Sequence, residues 1–286
     1  MLDVSERRAC RTVGQPRSTQ RYEARQSEEE PKLVARMLEL VREHPRYGYR
    51  RIWALLRREG WAVNRKRVHR LWRREGLRVP VKAKKKRRLG TSENACSRRR
   101  PQRKDHVWAW DFVHDRTGSG GPLKWLTVVD EFTRECLTLH TDRSIRAEDV
   151  EDELIGLFRQ RGAPEHIRSD NGPDFIAREL KRWLAAASVG ALYVEPGSPW
   201  ENGYAEAFNS RLRDELLDVE EFGSVREAKA LAGRYKEDYN EHRPHGSLGY
   251  RTPAEFAAAC SAPGLGSLAP AQNTRSPREA LIAPGT

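Results

Sequence analysis

The feature of this sequence that most constrains its fold is a change of character at residue 105. Before it, basic residues dominate and apolar residues recur at helical spacing; after it, short apolar segments alternate with turns. Residues 1–104 contain 32 Lys or Arg and 11 Asp or Glu, a net charge of +21, whereas residues 105–286 contain 21 and 30, a net of −9. Solubility does not require such segregation, so we predict a polyanion-binding module joined to a second, differently built unit.

The hydropathy of the sequence and the spacing of its cysteines also exclude several classes of protein. No apolar run approaches the roughly 18 residues that a membrane span needs, and MLDVSERRAC lacks the apolar stretch of a signal peptide. We therefore expect a cytoplasmic protein with no membrane partner. The four cysteines form no CxxC pair and do not combine with histidines at zinc-ligand spacing, so neither disulfides nor a structural zinc is expected.

Helical patterns fill residues 1–81. Two short helices are expected around Gly14, followed by a helix with Ser27 as its N-cap. The stretch RYGYRRIWALLRREGWAVNRKRVHRLWRREGLRV predicts two more helices. The first should end at Gly60, and the second should be capped by Asn64 and end at Gly76.

The second of these helices has an apolar back and a basic front. A short turn followed by such a helix is typical of the helix-turn-helix plan, in which the basic face meets DNA. A solvated basic helix that only packs on its neighbour is the alternative. The predicted DNA-contacting residues of this helix are Arg65, Lys66, His69, Arg70, Arg73 and Arg74.

Residues 82–104 connect the two halves. They hold eleven basic residues, one acid and almost nothing apolar. This composition predicts a flexible linker that lies along phosphates.

The second half predicts a mixed α/β sheet, because strands come first and then alternate with helices. DHVWAWDFVHD reads as one strand, and LKWLTVVDEFTRECLTLHTD as two more. A helix over 147–161, the strand HIRSD, a helix ended by Gly190 and the strand ALYVEPG follow. A long helix then begins in SPWENGYAEAF, and a last helical region covers 224–241.

Three acids stand at the positions where a sheet presents side chains to a shared space. Asp111 lies inside the first strand, Asp170 ends the strand HIRSD, and Glu206 lies in the first turns of the long helix. An acid flanked by apolar residues, as Asp111 is, must be paired, protonated or bound to a metal. On the long helix Glu206 shares a face with Asn209 and Arg213, whereas Glu201 at its entry is better placed for capping.

Three carboxylates at one open edge suit Mg²⁺ or Mn²⁺, which prefer oxygen ligands. Two such ions can hold the attacking and leaving oxygens of a phosphodiester. The residues alone leave the choice of acids open, since Asp115, Asp130, Glu131 and Asp174 are rivals.

The motifs around these acids resemble a known catalytic core. Asp170 and Glu206 are separated by 35 residues, and WAWDFV, SDNGPDF and SPWENGYAEAFNSRLRDEL surround the three acids. This arrangement resembles the DDE core of retroviral integrases and bacterial transposases. SERRACRTVGQPRSTQRY, RYGYRRIWALLRREG, VNRKRVHRLWRREGL and YNEHRPHGSLGYRTPAEF extend the likeness over about residues 5–260, and OrfB proteins of the IS-three insertion-sequence family are the most similar.

The resemblance implies an α/β fold: a ribonuclease H-like mixed sheet core with flanking helices, preceded by an all-α helix-turn-helix region. The expected domains are 1–81, helical and DNA-binding; 82–104, basic linker; 105–219, catalytic integrase core; 220–260, C-terminal helical extension; and 261–286, disordered tail.

It also implies a DDE-type transposase, a polynucleotidyl transferase that cleaves DNA ends and transfers strands with two Mg²⁺ ions, for which Mn²⁺ is expected to substitute. Asp111, Asp170 and Glu206 carry over as the catalytic, metal-binding acids. Asn209 and Arg213 carry over as residues that approach the DNA end. Arg213 stands where a lysine is often found, which keeps the charge and changes the donor geometry.

The implied partners are DNA, both the terminal repeats of the element and the target, together with OrfA protein or an OrfA fusion. Because the chain starts at its own methionine, we expect it to be the OrfB part of such a fusion, a homo-oligomer on DNA in the bacterial cytoplasm, associated with the nucleoid. A non-catalytic DNA-binding regulator of transposition is the alternative. A ribonuclease H-type nuclease would share the core but would leave the basic first half unexplained.

Overall fold

The structure, a computed structural model, divides into a helical region and a sheet with flanking helices. It describes residues 4–22, 28–79, 100–169, 178–193 and 202–261. Several residues singled out above therefore lie outside the described ranges, among them Ser27, Asp170, Asp174, Glu201 and most of the linker and tail.

Five helices make up the first region. They are α1 (Glu6–Thr12), α2 (Arg17–Gln20), α3 (Glu29–Glu43), α4 (Tyr49–Arg58) and α5 (Arg65–Arg74). The predicted cap of α5 is confirmed, because the Asn64 side chain accepts a hydrogen bond from the Arg67 N–H at 2.8 Å. Glu28, rather than the predicted Ser27, occupies the N-cap position of α3.

A small apolar core holds α3, α4 and α5 together. Its side chains include Met37, Ile52, Leu56, Val68 and Leu71, each with at most a trace of exposed surface. They recur at helical spacing in the sequence, so each helix turns one apolar stripe inward and leaves its basic side outside. Helices α3, α4 and α5 therefore form one packed unit.

The sheet has five strands in the order β3-β2-β1-β4-β5. They are β1 (Val107–Arg116), β2 (Pro122–Asp130), β3 (Cys136–Asp142), β4 (His166–Ser169) and β5 (Gly190–Tyr193). β1 pairs with β2, and β2 with β3, in antiparallel fashion, whereas β1–β4 and β4–β5 are parallel. The predicted mixed sheet is confirmed.

Helices cover both faces of this sheet. They are α6 (Ala147–Arg161), α7 (Arg178–Ala186), α8 (Gly203–Leu212), α9 (Val225–Glu237) and α10 (Pro253–Ser261). π-helical turns, Arg213–Leu217 and Asp238–His242, continue α8 and α9. One face packs on α8 and α9 around Phe208 and Tyr239, and the other on α6 and α7 around Trp108 and Leu154.

The end of α7 corrects one expectation from the sequence. The helix ends at Ala186, and the chain turns through Ser188 at φ +58°, so Gly190 is the first residue of β5 and not a helix stop. Gly190 pairs with His166 of β4, and a Cβ at this position would collide with the His166 ring. Glycine is thus required here by close approach of a neighbouring side chain.

A buried ion cluster joins the helical region to the core. Glu215, in the turn after α8, lies 2.9 Å from Arg51 of α4 and 2.7 Å from Arg243. The Glu215 and Arg243 side chains are only 7% and 3% exposed. Burial raises the pKa of the Glu215 carboxyl, but the Arg243 and Arg51 guanidinium groups outweigh it and hold that pKa below its ordinary value.

Removing the charge of Glu215 should destabilise the protein strongly. Glu215→Gln leaves two largely buried guanidinium groups without their anion, which we expect to lower the free energy of unfolding by about 3–5 kcal/mol at pH 7. Because the pKa of Glu215 is depressed, this difference is present above the ordinary value of 4.5 and shrinks as the pH falls below it. Urea unfolding followed by circular dichroism measures the effect.

The matched control is Glu255→Gln. Glu255 also bridges the two regions, through Arg58 at 2.6 Å, but the pair is exposed by 31% and 49%. Glu255→Gln should therefore lower the free energy of unfolding by at most about 1 kcal/mol. Equal effects of the two substitutions would contradict the importance given to the buried cluster.

Candidate active site and nucleic-acid interface

Asp111 lies half-buried in the middle of β1, opposite Thr127 of β2. Its Oδ1 accepts a hydrogen bond from the Phe112 N–H at 2.8 Å. Its Oδ2 accepts one from the Asn209 side-chain amide of α8, also at 2.8 Å. Each carboxylate oxygen therefore has a fixed direction, because one donor comes from the strand and the other from the helix.

Asn209 is the link between the helix and the strands. It is 7% exposed, and its Oδ1 accepts a hydrogen bond from the Thr127 hydroxyl at 3.0 Å. The same hydroxyl lies 3.0 Å from the backbone oxygen of Asp111. This Asp111–Asn209–Thr127 network fixes the rotation of α8 about its axis, since the amide can satisfy both partners in only one orientation.

Glu206 lies on α8 one turn before Asn209, with an exposed side chain. Residues three apart on a helix are neighbours, with their Cβ atoms about 5–6 Å apart. The buried stripe of α8 includes Ala205, Phe208 and Leu212, and it keeps Glu206 out of the core. The third predicted acid, Asp170, directly follows the last residue of β4, Ser169, and lies outside the described ranges.

Two of the alternative candidates for a catalytic acid, Asp130 and Glu131, have structural partners inside the fold. Asp130 is fully buried and accepts hydrogen bonds from three backbone N–H groups, those of Asp105, Phe132 and Thr133. Burial raises the pKa of Asp130 to about 6. The neighbouring Glu131 is buried as well and pairs with Arg168 at 2.8 Å.

The basic face of α5 divides into two kinds of residue. All six predicted DNA-contacting side chains are exposed. Arg70 and Arg74 nevertheless bind the buried carboxylate of Glu30 at 2.9 and 2.6 Å, and the His69 ring lies against Tyr49. Within the described residues, no ion pair is formed by Arg65, Lys66 or Arg73.

The two predicted DNA-contacting residues of α8 and its extension differ in accessibility. Arg213 is exposed and donates to the His114 backbone oxygen at 3.3 Å, so its guanidinium lies at the surface beside β1. Asn209 is buried in the network described above, so its amide faces Asp111 rather than solvent. The sequence pattern placed both on one helix face but could not reveal this contact across 98 residues.

A separate cluster lies at the start of the parallel strands. His106, Glu165 and His166 bring potential ligand atoms within 4.8 Å of one another, close enough to hold a metal ion. The Nδ1 atom of His106 accepts a hydrogen bond from the Gln102 N–H at 3.0 Å. Its Nε2 therefore carries the ring hydrogen and not the lone pair that a metal would need. The cluster is distinct from the predicted acids, as Asp111 lies in β1, five residues after His106.

Sequence reasoning missed a basic cavity of about 660 Å³ beside α8, which we call the arginine pocket. Its arginines come from four separate segments of the chain: Arg50, Arg51, Arg134, Arg211 and Arg243. Hydrophobic periodicity in the sequence cannot predict such a cavity, because the cavity exists only after α4 has docked on the core.

Comparison with known proteins identifies the parts of the chain. An HTH-like domain matches residues 28–86, and two integrase core domain families match residues 101–199 and 188–253. An uncharacterized protein of insertion element IS407 from Burkholderia multivorans is 40% identical over 257 residues, which covers 90% of this chain and 92% of the relative. Transposase InsD of insertion element IS2 from Escherichia coli is 30% identical over 247 residues, covering 82% and 80%.

The chain belongs to the IS3 family of insertion-sequence transposases. The resemblance seen in the sequence is thus confirmed, and with it an enzyme of the polynucleotidyl-transferase type. The sheet of the transposase, with its helices on both faces, is the predicted ribonuclease H-like core.

Comparison with solved structures finds integrases of low similarity to this chain. The catalytic core domain of HTLV-2 integrase in complex with magnesium is 18% identical, with a TM-score of 0.44, over 55% of this chain and 99% of that one. The core domain of BIV integrase is 22% identical, with a TM-score of 0.42, over 54% and 94%. Among the helices in the described ranges of the transposase, none has the length and apolar character needed to cross a bilayer.

The division of the α5 face predicts unequal contributions to DNA binding. Arg73→Gln should weaken binding to duplex DNA and reduce the slope of log K against log salt by about 0.9, the value for one phosphate contact. Arg70→Gln should have a smaller effect, because that guanidinium is already paired with Glu30, whose single charge it shares with Arg67 and Arg74. Fluorescence anisotropy titrations at several salt concentrations measure both. A larger loss for Arg70→Gln than for Arg73→Gln would contradict this interpretation of the surface.

Proposed function

We propose that the transposase cleaves DNA at the ends of its insertion element and joins the freed 3′ ends to target DNA in a Mg²⁺-dependent reaction. The observation that carries the proposal is the 2.8 Å contact between Asn209 and Asp111. It ties α8, with Glu206 one turn earlier, to the strand that bears the first acid. This contact supports the proposal that the two carboxylates, carried by different rigid elements, face one site, as a positioned catalytic group requires.

We infer that Asp170 supplies the third carboxylate. β4 runs parallel to β1 with Ala109 opposite Arg168, so the end of β4 at Ser169 lies near Asp111 along the sheet. The 35-residue spacing between Asp170 and Glu206 supports the same assignment.

The donor set of Asp111, Asp170 and Glu206 fits Mg²⁺, with Mn²⁺ as a substitute, because all the ligands are carboxylate oxygens. The Asp111 oxygens accept hydrogen bonds from the Phe112 N–H and the Asn209 amide, and an ionised carboxylate offers about four lone-pair sites in all. When two ions are bound, they stabilise charge on the attacking and leaving oxygens of the phosphodiester. The role of Asn209 is to keep the Asp111 carboxylate in one orientation.

The proposed reaction has two displacements. In the first, a water oxygen attacks phosphorus, the bond from phosphorus to the 3′ oxygen breaks, and the element strand leaves with a 3′ hydroxyl. In the second, that hydroxyl attacks a phosphodiester of the target, and a target 3′ hydroxyl is released. No covalent link between protein and DNA forms, so no serine or tyrosine nucleophile is required.

DNA is the proposed partner of the helical region as well. The HTH-like match and the net charge of +21 over residues 1–104 support this assignment. We further propose that the transposase acts with OrfA protein or as the OrfB part of an OrfA fusion, and as a homo-oligomer. Transfer of two element ends requires at least two active sites on the same DNA.

The direct test replaces Asp111 by Asn. Asp111→Asn should abolish end cleavage and joining of labelled end fragments in Mg²⁺, because the first metal ligand loses its charge. The Asn209 amide can rotate to accept from the new amide, so folding and DNA binding should persist. Product formation is followed on sequencing gels, with circular dichroism and anisotropy as controls.

Normal cleavage by Asp111→Asn would rule out the assigned role. Failure of the unsubstituted transposase, with and without OrfA, to form any product would favour the regulator of transposition instead.

A second substitution tests how Asn209 acts. Asn209→Ala should slow cleavage by about 10–100-fold and raise the Mg²⁺ concentration needed for half-maximal rate, because Asp111 loses its orienting donor. Affinity for DNA should be unchanged. Ser210→Ala, at an exposed neighbouring position on α8, is the control and should behave as wild type. Loss of DNA affinity by Asn209→Ala at an unchanged metal requirement would instead indicate a direct DNA contact.

A further inference from the structure

The arginine pocket lies where four segments of the transposase meet. Arg50 and Arg51 come from α4 of the helical region, Arg134 from the turn between β2 and β3, and Arg211 from α8. Arg243 follows the π-helical turn after α9. The pocket therefore forms only when the helical region and the core are docked, as the Glu215 cluster ensures.

Positive charge in the pocket exceeds the negative charge that balances it. Arg51 and Arg243 share the single carboxylate of Glu215. In the described part of the chain, Arg50, Arg134 and Arg211 make no ion pair. The buried His245 ring adds no charge, because burial and the nearby arginines hold its pKa well below 6.5. Among the described residues that line the cavity or pair with its arginines, five guanidinium groups thus face the one carboxylate of Glu215.

Aromatic rings line the same cavity. The Arg134 guanidinium lies 3.7 Å from the centre of the Tyr204 ring, which gives a stacked cationic and aromatic surface. Tyr250 lines the pocket from the segment before α10, where the Trp53 ring supports it edge-on at 5.4 Å. Arginine and tyrosine planes of this kind are the surfaces on which proteins stack unpaired bases.

The size of the pocket distinguishes between forms of DNA. Its volume of about 660 Å³ lies within the range of about 300–1,000 Å³ typical of sites for single small ligands. The major groove of a duplex alone is about 12 Å wide, so a duplex can pass over the opening but cannot enter. A single nucleotide, with a phosphate for the arginines and a base for the aromatic rings, matches both the chemistry and the volume.

The pocket is also close to the proposed catalytic acids. Tyr204, Ala207 and Arg211 line it from one side of α8, while Asn209 on the other side contacts Asp111. The two sites are thus separated by the width of one helix, about 10 Å with its side chains. A DNA strand held at one site can reach the other without leaving the surface of the protein.

We propose that the arginine pocket binds a single nucleotide extruded from the DNA helix, with its phosphate at Arg50 and Arg211 and its base against Tyr204. Extrusion of a nucleotide from the stack is a known way to open a duplex beside an enzyme site. The inference rests on the proposed function in taking DNA as the substrate, and it adds that the bound DNA is locally unpaired.

The test compares fluorescein-labelled duplexes in the Asp111→Asn background without Mg²⁺, so that binding is measured apart from chemistry. One duplex is fully paired, one carries a single unpaired thymidine, and one carries an unpaired abasic residue. The transposase should bind the thymidine bulge about tenfold more tightly than the paired duplex, the factor that one stacked base typically supplies. The abasic bulge should lie between the two.

Substitutions assign the preference to the pocket. Arg211→Gln and Tyr204→Ala should bring the two affinities together, whereas Arg226→Gln, which removes the same charge from an exposed site on α9, should keep the tenfold ratio. Arg211 is exposed, so its substitution should not disturb folding, which circular dichroism verifies.

Equal affinity of the transposase for paired and bulged duplexes would overturn the proposal, as would a preference that survives Arg211→Gln. Because no step of cleavage is measured, the bulge preference can hold even if the joining reaction of the proposed function is never observed. Conversely, strand joining without a bulge preference would refute nucleotide binding by the arginine pocket and leave the proposed joining reaction standing.

Discussion

The hydrogen bond between Asn209 and Asp111 is the contact on which the arrangement of the site depends. It joins residues 98 positions apart, and the Thr127 hydroxyl secures it from the neighbouring strand. Without it, the apolar stripe of α8 would still bury Ala205 and Phe208, but the helix could rotate by a few degrees and move Glu206 relative to the sheet. An apolar interface determines which side of a helix is buried, whereas a directional hydrogen bond determines the rotation angle of the helix about its own axis.

A second polar cluster sets the position of the helical region. Glu215 draws Arg51 and Arg243 together in a nearly dry junction, where an unpaired ion would be costly. The same junction leaves an excess of arginines on its open side. The cluster that fixes the two regions relative to each other therefore also creates the positive cavity beside α8. The Glu215 cluster thus both stabilises the junction and positions the arginines of the proposed nucleotide pocket.

Much of the fold could be predicted from the sequence, because its signals are local. The bounds of α6, the cap at Asn64 and the buried stripe of α8 follow from periodicity and capping chemistry. The role of Gly190 could not be predicted, since glycine is required there by the close approach of the His166 ring from another strand. The burial of Asn209 and the arginine pocket were missed for the same reason: both arise from contacts between distant segments.

The candidate acids show the same limit. Chemistry alone could not separate Asp111 from Asp130, since both are acids within or at the end of an apolar strand. The structure separates them, because Asp130 accepts three backbone N–H bonds inside the fold, whereas Asp111 is half-buried and faces α8. Family resemblance supplied the selection that the residues alone did not.

The central claim is that Asp111 and Glu206 hold divalent cations together, in one site. Electron paramagnetic resonance of Mn²⁺ titrated into the transposase bound to DNA tests it most directly. We expect two bound Mn²⁺ ions per active site. Both Asp111→Asn and Glu206→Gln should lose Mn²⁺ binding while DNA remains bound. Unchanged Mn²⁺ stoichiometry and affinity in either substituted protein would contradict it.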